Sequence, residues 1–529
     1  MNKFKNCLSI HTSHNGSISI SVENEIIVHT EISRFNKFKY SPLPCFELIN
    51  KINSLNIIFD CIILTYQFDN CLGTWKQFIE KYINKTKDCK IFISNEHHQF
   101  HASCAMTFSD NENIIVWDQE GKVENFGEFE CSENFSLFLK MKNVYQEFYT
   151  KMNINKKIDN KIINNNISFA DAYSFLCYKL GLKKNDLFPE GKAMALSSFG
   201  IFSEEIYNNL VEKENFNKNN VWIPFVDSNN NYENYNNFLL ENFKDEETLN
   251  YAHTFQKCLE ELSLKKLKKF NINNFLITGG VSQNILNNHN LSNYFNIHVD
   301  PMCNDQGISL GSLNTINNNS LKRKHPVYLG FLPKYDLTIF DDNFKIKDSS
   351  DSGLSEILYK EPIAIFQGRS EQGQRALGNR SLIINPCLKN CIEIINTIKK
   401  REWYRTFACT ILEDSFDDYF DNPNKTDPRY MMFVYQAKKD KLNVLKNVIS
   451  PKNLSRVQTV SLSDNLNYYR LLNNFNKRYQ IPFVLNTSLN KPGEVIVEDL
   501  QDLKRMMLNT SLKYAYLPDI NKIIKKICQ

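Results

Sequence analysis

Hydrophobic positions along the chain come in short runs that alternate with polar turns. At the start, residues 7–11, 17–22 and 25–31 are such runs, separated by turn chemistry from Ser13 to Gly16 and at Glu23-Asn24. This spacing predicts strands joined as a β-hairpin with a polar, glycine-containing tip. Further runs at 57–63, 90–93, 113–117, 275–277 and 297–299 alternate with longer helix-like segments at 74–84 and 251–270. Alternation of this kind favours an α/β architecture with mixed sheets over an all-α or all-β fold. Two stretches, 153–167 and 213–250, are rich in Asn, Lys, Glu and aromatics. They break the rhythm and are read as insertions or lids rather than core.

Between residues 315 and 358 the pattern loosens into polar sequence around Pro326 and Pro333, and a new strand begins at 362–366. A domain boundary is therefore expected near residue 340, dividing the 529 residues into 1–340 and 341–529. The second part closes with a strand at 481–485 and a helical segment at 498–508.

Charge adds an exclusion. Lys and Arg number 63 against 59 Asp and Glu, a formal balance of +4, so no broad basic face organises the chain and a nucleic-acid partner is not expected. The 14 cysteines contain no C-x-x-C pair, which excludes a zinc knuckle and a thioredoxin-like motif and fits reduced thiols in the cytoplasm. The N-terminus is too polar for a signal segment, and no window approaches a membrane span. The abundant asparagines, in runs such as 164–166, 229–231 and 317–319, are read as loop filling without a chemical role.

Three constellations carry candidate chemistry. In Glu96-His97-His98-Gln99-Phe100-His101, His97 and His101 are four apart; on a helix both imidazoles leave one face about one turn apart, as two ligands of one metal would. Asp118 follows the apolar run 114–117, and Asp305 stands in a comparable strand-to-helix turn. Two His and two Asp suit iron, zinc or manganese better than calcium; the plainer alternative is a histidine-rich helix end beside solvated carboxylates. The second constellation is Thr278-Gly279-Gly280-Val281 with Gly307 to Gly311, where glycine lets backbone N–H groups approach a phosphate or adenosine; paired glycines after a strand are also often only a tight turn. The third is Gly368-Arg369-Ser370-Glu371-Gln372-Gly373-Gln374-Arg375-Ala376-Leu377-Gly378-Asn379-Arg380, followed by Lys399, Arg401, Arg405, Arg456 and the strand end Asn486-Thr487-Ser488-Leu489-Asn490. Arginines interleaved with glycines make a poor amphipathic helix and a good oxyanion loop, because guanidinium forks match phosphate and carboxylate oxygens. A solvated basic face would explain the arginines but not the glycines.

With these motifs in order, the sequence resembles the O-carbamoyltransferase family that includes the enzymes of nodulation-factor, cephamycin and tobramycin carbamoylation. The resemblance is carried by His14-Asn15-Gly16-Ser17 with residues 31–35, the His97/His98/His101 cluster, Trp117-Asp118, Glu190-Gly191-Lys192 through Gly200, Gly279-Gly280, Asp305 with Gly307, residues 368–381, residues 401–407, Arg456-Val457-Gln458 and residues 486–490. It spans essentially the whole chain. Departures from the family pattern include Ser450-Pro451-Lys452-Asn453-Leu454-Ser455, where a histidine and an aspartate usually precede the Arg456 motif.

The resemblance implies an N-terminal domain of the actin/hexokinase-like ATPase (ASKHA) superfamily, similar to tRNA threonylcarbamoyl transferases, followed by a C-terminal domain similar to YrdC-type carbamoyl-adenylate synthases. It implies two half-reactions: carbamoyl phosphate and ATP, with Mg2+, giving carbamoyl adenylate in the second domain, then attack of an acceptor hydroxyl on the carbamoyl carbon in the first. On that reading Arg369, Arg375, Lys399, Arg405, Arg456, Asn486 and Ser488 bind carbamoyl phosphate and ATP, with Lys399, Arg456 and Ser488 taking part in catalysis. Gly279, Gly280 and Gly307 bind nucleotide in the first domain. His97, His101, Asp118 and Asp305 hold a divalent metal, iron first, with manganese or zinc as alternatives, and His14 serves as acid/base or orienting group. The implied acceptor is a small hydroxylated sugar or other metabolite; a homodimer is compatible with the sequence. Trp222, Tyr232 and Tyr235 are candidate acceptor contacts. Two other classes stay open, a sugar or metabolite kinase of the same ATPase superfamily and a non-catalytic nucleotide-binding partner.

Overall fold

The computed structural model describes residues 4–67, 71–111, 113–118, 123–126, 129–141, 144–158, 161–164, 170, 173–174, 176–177, 180–182, 189–212 and 245–527. Among these the chain is α/β with three mixed sheets. By packing it forms two compact units, Met1–Ser94 with Asp305–Gln529, and Asn95–Asn304. No helix among the described residues is long and apolar enough to cross a membrane.

The first unit opens with β1 (Asn6–His11), β2 (Ser17–Val22), β3 (Glu25–Glu31), β4 (Phe59–Thr65) and β5 (Lys85–Ser94), in the order β3-β2-β1-β4-β5. The first three strands pair antiparallel, as their tight polar turns require; β4 and β5 add in parallel after the helices Phe46–Asn53 and Leu72–Tyr82. Side chains alternate across a strand, and here the alternation is chemical. Leu8, Ile10, Ile18 and Ile20 point into a core with Leu48, Ile52 and Trp75, whereas Ser9, Ser17 and Ser19 face the helix Ile308–Ile316. Ser9 Oγ lies 2.6 Å from Ser312 Oγ, and Ser17 Oγ and Ser19 Oγ each lie 2.8 Å from Ser309 Oγ. Hydroxyls this small let the helix seat closely on the sheet, which sets its first turn beside the β1–β2 turn.

The same unit contains a ten-stranded sheet built from β13 (Phe344–Asp348), β14 (Ile363–Phe366), β15 (Arg380–Ile384), β16 (Ala408–Leu412), β17 (Phe420–Asp421), β18 (Val434–Ala437), β19 (Leu454–Val460), β20 (Phe483–Ser488), β21 (Tyr514–Leu517) and β22 (Lys522–Lys526). Its order is β13-β22-β21-β14-β15-β20-β16-β19-β18-β17. One face is apolar at one end, where Ile383, Leu412, Val460 and Val484 pack under Leu354 and Leu358 of the helix Asp351–Lys360 and Leu471, Leu472 and Phe475 of the helix Leu466–Tyr479. The period of two then puts Thr410, Gln458 and Asn486 on that same face, beyond the cover of the core.

A buried ionic network ties the hairpin segment to this sheet. Arg34, 2% exposed, donates to Glu31 Oε1 at 3.0 Å, to the Glu371 carbonyl at 2.7 Å and to Glu498 Oε2 at 3.5 Å. Ser370 Oγ donates to the same Glu498 oxygen at 2.9 Å, and Lys37 meets Asp502 at 2.7 Å. Removing one member of such a network strands the others without water. Arg34→Met is expected to cost about 3–5 kcal/mol, and Arg34→Met with Glu498→Gln to cost less than Arg34→Met alone, because one of the carboxylates left facing the gap is then neutral; urea midpoints of the parent and the two variants check this.

The second unit carries β6 (Asn113–Trp117), β7 (Val123–Phe126), β8 (Phe129–Met141), β9 (Val144–Ile158), β10 (Lys161–Asn164), β11 (Asn274–Thr278) and β12 (Asn296–Val299), ordered β10-β9-β8-β6-β11-β12 with β7 on β8. The helices His97–Phe108, Glu190–Ser197, Glu246–Lys268 and Ile285–Ser292 belong to it. Residues 153–167, expected as an insertion, are strand where described, the end of β9 and β10 at the sheet's edge. Of 213–250, residues 213–244 lie outside the described part, and with them Trp222, Tyr232 and Tyr235.

Candidate functional site

The helix His97–Phe108 packs on β6 and β11 through Ala102, Ala105 and Met106, which meet Ile114, Val116 and Leu276. That seating brings its first turn, with His97 and His101 two turns and one turn before Ala105 on the same side, toward the end of β6, and Asp118 is the residue that leaves the strand tip. His101 Nε2 is 2.9 Å from Asp118 Oδ2 and 3.2 Å from His97 Nε2, and His97 Nε2 is 3.4 Å from Asp118 Oδ2. All three residues are buried. A metal bound to nitrogen and oxygen at about 2.0–2.2 Å sets neighbouring donors roughly 2.9–3.5 Å apart. The triangle has those edges, so the residues present fit a borderline divalent cation, and the mixed N/O set favours iron, zinc or manganese over calcium.

Asp305 belongs to the first unit and is its first residue where the chain returns there after Asn304. It sits in the turn Asp305–Gly307 ahead of the helix Ile308–Ile316. His14, in the β1–β2 turn, meets it: Nε2 lies 2.7 Å from Asp305 Oδ2. The His14 side chain stays 39% exposed.

The glycine turns divide. Gly279 has φ +90, and a Cβ there would come within 2.4 Å of the Trp117 carbonyl oxygen; a side chain at Gly280 would meet Asp118 Oδ1 at 2.9 Å. Both glycines are therefore needed for the turn to lie against the strand tip that presents Asp118. Gly307, with φ −72, is in ordinary helical conformation.

In the first unit, the arginine-rich loop is held by its own polar groups. Arg380, fully buried, donates to the carbonyls of Gln367 and Asn379 at 2.5 and 2.9 Å and lies 3.9 Å over the Phe366 ring. Arg369 donates to the Gly330 carbonyl at 2.6 Å. Glu371 Oε1 accepts from the backbone N–H groups of Leu377 and Arg380 at 2.7 and 3.2 Å, and Gln306 Oε1 accepts from Gly373 N–H at 3.2 Å. Arg380 thus shapes the loop, Arg369 is fixed at one end of its guanidinium, and Arg375 acts with the cations that follow.

Those cations gather over the polar end of the ten-stranded sheet. Ala408 opposes Asn486 in register, and the next residue, Cys409, opposes Val457. Arg456, Ala408 and Asn486 therefore stand in one row across β19, β16 and β20, on one face. Lys399, 4% exposed, donates to the Ser488 and Asn490 carbonyls and to Asn490 Oδ1, each at 2.6 Å, and Ser488 Oγ donates to Asn490 Oδ1 at 2.7 Å. Burial first, then Arg375, Arg401 and Arg405, push the Arg456 guanidinium well below its ordinary pKa. Burial and then Arg401 and Arg405 do the same to Lys399, with Glu494 acting the other way, and burial and then Arg405 lower Arg401, opposed by Glu402. Arg456 is partly buried and has no ion pair among the described residues. Guanidinium keeps its charge throughout the workable pH range, so mutual repulsion of this kind is relieved by an anion rather than by loss of protons.

Beneath these cations lies a polar row of which the motifs had shown Asn486 and Gln458 but not Thr410. Thr410 Oγ1 donates to Gln458 Oε1 at 2.9 Å, Gln458 Nε2 donates to the Leu377 carbonyl at 2.8 Å, and Asn486 Nδ2 reaches Thr410 Oγ1 at 2.9 Å and the Ala376 carbonyl at 3.1 Å. A threonine inside the otherwise apolar strand Ala408–Leu412 was the available signal. Beyond the neighbouring pair Glu31 and Arg34, the Arg34 network gave no signal, since Glu371 and Glu498 lie 337 and 464 positions away.

Two family models match the chain, Carbamoyltransferase N-terminus over residues 50–313 and Carbamoyltransferase C-terminus over residues 355–524. An uncharacterized protein of Methanocaldococcus jannaschii is 26% identical over 98% of this chain and 99% of its own length. Nodulation protein NolO of Bradyrhizobium diazoefficiens is 32% identical over 49% of this chain and 52% of its own. The crystal structure of full-length HypF in its phosphate- and nucleotide-bound form aligns with a TM-score of 0.33 at 14% identity, over 60% of this chain and 47% of that one, a likeness too low to transfer an arrangement.

Proposed function

The chain belongs to the carbamoyltransferase family, and from that premise we propose that it is an ATP-dependent O-carbamoyltransferase with two chemical sites. The observation that carries the reading is the repelling cation set around Arg456, which supports a pocket for two polyanions in the part that matches the family's C-terminal model. The first site makes carbamoyl adenylate. Water converts carbamoyl phosphate to carbamate and phosphate; a carbamate oxygen then attacks the α-phosphorus of ATP, the C–O–P bond forms as the α–β bridge breaks, and pyrophosphate leaves. Bringing these anions together is opposed by charge, and Arg375, Lys399, Arg405 and Arg456 offset that repulsion while Asn486 and Ser488 orient the acyl group. Mg2+ accompanies ATP.

At the second site the acceptor oxygen attacks the carbamoyl carbon, AMP leaves with the former carbamate oxygen, and the acceptor proton passes to His14, oriented by its bond to Asp305. His97, His101 and Asp118 are assigned as ligands of a divalent cation, iron before manganese or zinc, with Asp305 as the further ligand that the family resemblance implies; when bound, the cation would supply Lewis-acid stabilisation of developing negative charge. Gly279, Gly280 and Gly307 are assigned to the nucleotide end. We assign residues 1–340 to an ASKHA-type transfer domain and 341–529 to a YrdC-like adenylating domain, acting in the cytoplasm, with a hydroxylated sugar or similar metabolite as acceptor; a homodimer is compatible with this reading. Incubation with ATP and carbamoyl phosphate, with pyrophosphate, AMP and ADP followed, tests the reading. Pyrophosphate that depends on carbamoyl phosphate is expected. ADP formed only with an added sugar would instead mark a kinase, and silence from folded protein a nucleotide-binding partner.

A further inference from the structure

Residues 327–330 lie outside both stretches matched by the family models, yet they run alongside the arginine-rich loop. Tyr328 pairs antiparallel with Glu371, Gln372 N–H donates to the Val327 carbonyl at 2.8 Å, and Gly330 N–H donates to the Ser370 carbonyl at 3.2 Å. The stretch that carries Arg375, residues 373–378, belongs to no helix or strand, so its backbone groups need partners from elsewhere. Leu377 has three. Its N–H donates to Glu371 Oε1 at 2.7 Å, and its carbonyl accepts from Gln458 Nε2 at 2.8 Å and from the Tyr328 hydroxyl at 2.6 Å.

Neighbours fix the direction of the last bond. Asn465 Oδ1 caps the helix Leu466–Tyr479 by accepting from Tyr468 N–H at 3.1 Å, so Asn465 Nδ2 is the atom that reaches the Tyr328 oxygen, at 3.0 Å. That oxygen accepts there and donates its own proton to Leu377. Burial first, then Glu371, push the phenol well above its ordinary pKa, with the Asn465 bond acting the other way, so the donor keeps its proton. The ring stacks on His325 at 4.2 Å, and His325 Nδ1 accepts from the Val327 and Tyr328 N–H groups at 3.2 and 3.1 Å. Ring and hydroxyl are both held, two residues along the loop from an arginine whose charge reaches Arg456 and Arg401. Such a tie matters where an irregular loop must place a charge, because a small misplacement near reacting groups costs rate heavily. We propose, resting on the carbamoyltransferase reading, that Tyr328 is a positioning residue for Arg375: its hydroxyl bond to the Leu377 carbonyl holds that guanidinium against the polyphosphate during adenylate formation.

Tyr328→Phe keeps the stacked ring and removes only the hydroxyl. In the full chain it should lower kcat/KM for carbamoyl-phosphate-dependent pyrophosphate release by about 10-fold, with Tm still above the assay temperature. A double-mutant cycle separates positioning from a structural role. In an Arg375→Ala background, where the side chain to be positioned is gone, Tyr328→Phe should change kcat/KM by less than about 2-fold, whereas in Arg405→Ala it should still cost about 10-fold. A tie that merely holds the fold would cost the same in every background; that result overturns the assignment, as does an effect below about 2-fold in the parent. Where Arg375→Ala is too slow to time, the cycle is read on the Kd of inorganic pyrophosphate, which Tyr328→Phe should raise in the parent and leave level in Arg375→Ala. A Tyr328→Phe protein that no longer folds marks the hydroxyl as structural and also overturns the assignment. Absence of any carbamoyl-phosphate-dependent pyrophosphate from the parent overturns the carbamoyltransferase reading instead, and the cycle on pyrophosphate binding then decides the positioning role by itself.

Discussion

Arg456→Met is expected to lower carbamoyl-phosphate-dependent pyrophosphate release by about 10²–10³-fold while Tm holds level or rises by roughly 1–2 °C. The opposite signs are the point of the experiment. Arg456 is pressed by burial and by Arg375, Arg401 and Arg405, so in the ligand-free protein its charge is a destabilising element; methionine keeps most of the volume and removes the charge. A residue whose role was to hold the fold would lose stability along with activity. A pyrophosphate titration followed by Tm completes the test: a ligand at 100 times its Kd stabilises by about 2.7 kcal/mol, and most of that shift should vanish in the variant. The same electrostatics sets a pH trend. The folded Lys399 holds its proton less tightly than its ordinary 10.5, so as pH rises through the lowered value the native state releases its proton before the unfolded chain does. The ligand-free protein should gain stability over that window, up to the ordinary value, and bound pyrophosphate should flatten the gain, because an anion favours the charged lysine.

His97→Ala with His101→Ala should leave pyrophosphate release within a few fold of the parent and reduce carbamoyl transfer to an acceptor by at least about 10³-fold. It should also abolish the stoichiometric binding of divalent metal, measured by elemental analysis of the dialysed protein. The helix that carries both residues is seated by Ala102, Ala105 and Met106, so its placement does not depend on the imidazoles. Loss of adenylate formation as complete as that in Arg456→Met, in a variant that remains folded, would defeat the assignment of the two half-reactions to two sites.

Much of the local structure was legible from period and turns. Runs at 7–11, 17–22, 25–31 and 113–117 became β1, β2, β3 and β6 within a residue, because hydrophobic alternation bounded by glycine and asparagine turns is a local property. The expected strand at 90–93 is the end of a longer one, Lys85–Ser94; its first half is polar, and edge strands need no apolar pattern to pair. The hairpin of β8 and β9 went unread although Phe129, Cys131, Phe135, Leu137, Leu139 and Met141 stand at alternate positions of β8, the period of a half-buried strand. The helix spacing of His97 and His101 was visible in four residues of sequence. Their approach to Asp118 was not, since it depends on how the helix sits on β6.

By itself the sequence determined the α/β class, singled out candidate anion-binding and metal-ligating side chains, and carried a resemblance from which two half-reactions are expected. Each of these is written in residue type and short spacing. Tertiary structure decided which side chains act together. It aligned Arg456, Ala408 and Asn486 in one row through long-range strand register, brought Asp305 to His14 by packing serines of β1 and β2 on the helix Ile308–Ile316, and joined Arg34 to Glu498 across 464 positions. It also tied the Arg380 guanidinium to the carbonyls of Gln367 and Asn379 within its loop and set Arg375, Lys399, Arg401, Arg405 and Arg456 close enough to act on one another. Register and packing follow from the sum of many weak contacts between segments far apart in the chain, and no local window of sequence contains that sum.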